Sequence, residues 1–167
     1  MLRTMKISSR DENVGRISGF LYGISALNGA IREYEGCAYL IELDKRNPDI
    51  GKEINMHYEG RYKFRFSSVQ KLKGGLGELE ERVVKYLLPD IDIGTEEYRA
   101  KLGGYLAFRL IDMIDVGDIF DQFPLQATVT ELQDHNASNE YTFFGIAANQ
   151  LLLVFQFNKH DRSYHWT

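Results

Sequence analysis

The chain has 167 residues, of which 44% are apolar, 13% aromatic and 26% charged, with a formal net charge of −4. One domain of this size can bury about 70% of its unfolded surface, so a disordered or low-complexity chain is excluded. No run approaches the roughly 18 apolar residues of a membrane span, and a lone cysteine, Cys37, excludes an internal disulfide and a cysteine-based zinc cluster.

The start, MLRTMKISSRDEN, lacks the apolar middle of a secretory signal, which places the chain in the cytoplasm as an expectation. Leu2 to Ser8 reads as a short edge strand. Asp11 can cap a helix beginning near Asn13, because Val14, Ile17, Phe20, Leu21, Ile24, Leu27 and Ile31 recur at helical spacing. Gly15, Gly19 and Gly23 would form a line on that helix where another element could approach closely. A glycine-broken strand is the alternative there. Cys37 to Asp44 reads as a buried strand with an inert thiol, followed by a loop through Pro48 and Gly51.

Glu53 to Ser68 is the most explicitly patterned stretch. Its alternation predicts a hairpin around Glu59-Gly60-Arg61 that pairs Ile54 with Phe66, Met56 with Phe64 and Tyr58 with Tyr62. His57 and Lys63 would then lie on the polar side, as would Arg65 opposite Asn55. On strands the cations Arg61, Lys63 and Arg65 lie opposite the rings, so the segment is not a base-stacking platform. Together with the acidic balance, this argues against nucleic acid as a partner.

From Leu76 to Leu88 the spacing predicts an amphipathic helix ending before Pro89, with Glu78–Arg82 and Glu81–Lys85 as pairs on a solvated face. Thr95 is a good cap for a longer helix whose apolar stripe would be Tyr98, Leu102, Tyr105, Leu106, Leu110, Met113 and Ile114. Gly103-Gly104 inside it marks a close contact or a break. Ala127 to Leu132, Tyr141 to Ile146 and Leu151 to Phe157 then read as a three-stranded meander joined by turn-rich segments. The run LLLVF, apolar on both faces, belongs in the middle of a sheet.

The fold expected is α+β: a single domain over residues 1–167, with a mainly antiparallel sheet of about five to seven strands and two or three helices on one face. No HExxH, GxxxxGKS or GxSxG motif is present, so the sequence assigns no catalytic residue, metal ligand or cofactor. Asn136-Ala137-Ser138 matches a glycosylation sequon that a cytoplasmic chain would leave unmodified. The most suggestive cluster is acidic. Asp112, Asp115, Asp118 and Asp121 recur every three residues, with Ile119 and Phe120 among them as apolar anchors for a basic protein partner.

In this general profile, small, acidic and without a catalytic constellation, the chain resembles bacterial toxin-immunity proteins, though no motif carries the likeness. The resemblance implies a non-catalytic inhibitor that neutralises a basic toxin or effector such as a nuclease. A small enzyme or small-ligand-binding protein, with its site assembled from distant residues, is one alternative. A structural or oligomeric component is the other.

Overall fold

A computed structural model describes residues 9–28, 34–44, 47–87, 94–116, 119–120, 127–135 and 139–160. Along the chain run α1 (Ser9–Asn28), β1 (Tyr34–Glu42), α2 (Ile50–His57), β2 (Ser68–Lys71), α3 (Gly75–Leu87), α4 (Glu96–Val116), β3 (Thr128–His135), β4 (Asn139–Ala148) and β5 (Leu151–His160). The predicted strand over Leu2 to Ser8, and the sequon, lie outside the described residues.

The five strands form one antiparallel sheet in the order β1-β5-β4-β3-β2. The α+β expectation and the meander are therefore met. β5 is interior, as its doubly apolar run requires, and period-two alternation sends its residues to two cores. Leu151, Leu153, Phe155 and Phe157 enter one core with α1, α3 and α4. Leu152 and Val154 enter the other with Ile54 of α2, Leu43, Phe64, Leu132 and Phe143. Each fully buried Leu or Phe stabilises by about 1.5–3 kcal/mol. The expectation of helices on one face holds for three of them. The fourth, α2, covers the opposite face.

That second layer corrects the reading of residues 53–68. Asp49 accepts from the Lys52 amide at 3.1 Å and caps α2, so the segment begins as a helix, not as a hairpin arm. Ile54 and Tyr58 lie four apart and face the sheet together, whereas Met56 is 70% exposed. The following Tyr62 to Phe66 is extended but pairs with no strand. Asn55 takes the place of one: its Oδ1 accepts from the Phe64 amide at 2.8 Å and its Nδ2 donates to the Phe64 carbonyl at 3.2 Å. The predicted pairing of Asn55 with Arg65 is thus replaced by Asn55 with Phe64. The rings of Phe64 and Phe66 turn inward while Lys63 and Arg65 stay exposed. Phe66 packs on Gly51, where an added Cβ would come within 2.9 Å of the ring.

On the other face α1 lies along the edge strand β1, and its Ser18 hydroxyl accepts from the Ala38 amide at 3.2 Å. This covers part of an otherwise open sheet edge. Val14, Ile17, Leu21 and Ile24 are its buried side. Gly15, Gly19 and Gly23 point away, with nothing within 4 Å of an added Cβ, so they are not the close-packing line expected. On α3, Arg82 pairs with Glu78 at 2.8 Å as predicted. It also reaches the buried Glu131 of β3 at 2.5 Å, so this side of α3 is tied to the sheet and not simply solvated.

Candidate protein-binding surface

α4 packs chiefly on α3, with a smaller contact to α1. Its start follows from local chemistry. Thr95 Oγ1 accepts from the Tyr98 amide at 3.2 Å, and Glu96 and Glu97 in the first turn favour the positive end of the helix dipole. The helix continues through Gly103-Gly104 without a break, and the buried Gly103 lies on the inner side with Ala107, Leu110, Ile111 and Ile114.

The outer side is unusual in composition. Tyr98, Tyr105 and Phe108 are 53%, 60% and 53% exposed, and their spacing of seven and three puts them on one face. Two ion pairs frame the row: Lys101 with Glu97 at 2.8 Å and Arg109 with Asp112 at 3.5 Å. The face is therefore aromatic and mixed in charge, not uniformly acidic. The sequence placed Tyr98 and Tyr105 in the buried stripe. The signal that separates them is their company, since Lys101, Arg109 and Asp112 share their side of the helix and the small Gly103 and Ala107 share the other.

The predicted anionic row fares unevenly. Asp112 is on this outer face, ion-paired. Asp115 falls in the last turn of α4, but its side chain, with Asp118 and Asp121, lies outside what the structure describes. Ile119 and Phe120 are corrected as anchors. They are 0% and 6% exposed, belong to the core beside α1, α3 and α4, and Ile119 is held by a 2.9 Å bond from Arg10 Nε to its carbonyl. Their apolar character serves packing.

A second group of polar residues gathers beneath α2. The hydroxyls of Tyr39 (at 3.1 Å) and Tyr58 both donate to Oε1 of Gln156, whose Nε2 donates to Asn158 Oδ1 at 3.2 Å. His57 stacks on Tyr39 with ring centroids 4.5 Å apart, where sequence had placed it across from Lys63. Burial raises the Tyr39 pKa strongly, with the Tyr58 hydroxyl adding to it, and burial likewise raises those of Tyr58 and Tyr141. The half-buried Cys37 thiol is pushed up by burial and then by the charge of Glu35. His57 is pushed down by burial and then by Arg61. Raised from values that already lie above 7, the tyrosines and the thiol are neutral at pH 7, so their hydroxyls are available as hydrogen-bond donors.

Among the described residues no group of three or more His, Cys, Asp or Glu side chains could hold a metal ion, and no helix is long and apolar enough to cross a membrane. No family model, curated protein or solved structure matches the chain.

Proposed function

We propose that the chain is a non-catalytic binding protein that captures a basic protein through the outer face of α4, in the manner of an inhibitor masking a toxin or effector. The observation that carries this is the row of Tyr98, Tyr105 and Phe108, each more than half exposed on one helix face. Tyrosine and phenylalanine are enriched at the centres of protein interfaces, and flanking charges such as Glu97–Lys101 and Arg109–Asp112 suit a polar rim. The partner's sign follows from the whole chain, whose net charge of −4 attracts a cationic protein over the screening length of the medium.

The test starts from the product of the gene adjacent to the coding sequence, expressed with this chain. A stable complex by light scattering, loss of the neighbour's activity within it, and loss of both on the Y105S/F108S double change would support the proposal. Association that slows with added salt supports a basic partner, and salt-independent association removes that part alone. A complex indifferent to Y105S/F108S would remove α4.

A further inference from the structure

On the α2 side of the sheet, the end nearest the β4–β5 turn is built from small side chains. Antiparallel register puts Lys71, Thr130 and Gly145 on one rung, and Thr128 and Ala147 on the next. Ile50, at the start of α2, packs over Gly145, where an added Cβ would lie 3.0 Å from its Cγ2. Beyond Ile50 the helix no longer covers the sheet. An open cleft of about 520 Å³ remains between the loop before α2, the β4–β5 turn and the β2 edge. Its volume falls in the range of ligand sites, roughly 300–1,000 Å³.

The chemistry of the lining is one-sided. Lys71 supplies an ammonium, Thr128 and Thr130 hydroxyls, and Asn47, Asn149 and Gln150 carboxamides, and among the described residues no carboxylate lines the cleft. Thr130 is only 8% exposed, yet its hydroxyl has no hydrogen-bond partner among the described residues, and Lys71 has no ion pair there. An unpaired polar group this deep is costly unless something else satisfies it. Asn149 and Gln150 both adopt positive φ, 50° and 63°, in a conformation that glutamine rarely takes. The Gln150 carbonyl is pinned by the Leu43 amide at 2.8 Å. Both positive φ values are what a two-residue hairpin between twisted antiparallel strands requires, so the turn's shape is fixed by β4 and β5. Opposite the polar groups, Leu43, Pro48 and Ile50 offer an apolar wall.

We infer that this cleft is a binding site for a small organic anion, whose carboxylate or phosphate lies against Lys71 and the threonine hydroxyls and whose apolar part lies against Ile50. The site shares no residue with the α4 face, so it stands whether or not the protein-binding proposal does.

The test is a ¹H–¹⁵N NMR titration of the full chain with phenyl phosphate, with benzoate and with neutral benzyl alcohol. Saturable shifts at the Lys71, Thr130 and Gln150 amides are expected for at least one of the two anions, and which of them binds identifies the anionic group. Lys71→Met should weaken binding about tenfold, the effect of losing one charge-assisted contact. Thr130→Val, which keeps the shape and drops the hydroxyl, should weaken it less while leaving the spectrum folded. Shifts that do not saturate, benzyl alcohol binding as tightly as the anions, or undiminished binding to the Lys71→Met protein would each overturn the inference.

Discussion

Tyr58, the residue that closes α2, donates its hydroxyl to the side-chain oxygen of Gln156 in the middle of β5, 98 positions further along. The same oxygen accepts from Tyr39 on the edge strand β1, so one amide ties three elements together. Gln156→Leu would leave both hydroxyls without that acceptor beneath the layer, at about 1 kcal/mol or more for each half-buried group. Tyr58→Phe removes one donor and leaves the oxygen occupied by Tyr39, so it should cost nearer about 1 kcal/mol. Urea denaturation measures both. Equal losses would show that Gln156 is not the shared hub.

The buried tyrosines predict alkaline behaviour. Tyr39, Tyr58 and Tyr141 have folded pKa values above the ordinary value of about 10. Above that pH the unfolded chain loses their protons while the native protein keeps them. The native state then binds more protons, and stability falls as pH rises. The stabilisation is complete below about pH 10 and is lost above it, at no more than about 1.4 kcal/mol per pH unit for each such group. Absorbance at 295 nm should show fewer than the chain's ten tyrosines ionising before unfolding, and Tyr39→Phe should flatten the decline in stability. A native protein in which all ten titrate together would contradict this burial.

Arg82 joins α3 to β3 through Glu131, a carboxylate 6% exposed that also accepts from Gln133 Nε2 at 2.8 Å. Arg82→Met should cost about 1–2 kcal/mol. This is below the cost of breaking a fully buried pair, because the arginine side chain is one-third exposed and screened. Adding Glu131→Gln should recover part of the loss, since the remaining group is then neutral. A double mutant as unstable as the sum of its singles would show the two residues to be uncoupled.

Ile119 separates packing from recognition. With its side chain fully buried, Ile119→Ala should destabilise by about 2–5 kcal/mol in thermal or urea unfolding. Were it a surface anchor, stability would stay within about 0.5 kcal/mol and partner affinity alone would fall.

Much of the scaffold was legible because its segments were long and periodic in one way only. α3 and α4 carry apolar residues at helical spacing behind good starts. β5 alternates between two cores and is apolar toward both, so its interior place could be read directly. Residues 50–58 were not legible in the same way, because Ile54, Met56 and Tyr58 satisfy period two while Ile50, Ile54 and Tyr58 satisfy the helix. Over so short a span the two patterns are equally good. The cap at Asp49 and the exposure of Met56 decide between them, and only the first is visible in the sequence. The acidic repeat drew attention to residues 112–121, yet Ile119 and Phe120 turn inward and the exposed aromatic row begins a turn or more earlier. An exposed Tyr105 and a buried Ala107 differ in which neighbour α4 meets, and that is set by α3 from another part of the chain. The cleft at Lys71 and Thr130 was invisible for a similar reason. It depends on strand register, which joins β2, β3 and β4 on one rung.

The claim that α4 is the recognition face is tested most directly by carrying a benzophenone photocrosslinker at position 105, and in a control protein at position 69 on the β2 edge, in cells of the source organism. Val69 is comparably exposed, at 62% against 60% for Tyr105, so the two positions differ in location and not in access. The account predicts one dominant adduct from position 105, a basic protein that F108S abolishes, and no such adduct from position 69. The same adduct from both positions, or none from position 105, would contradict it.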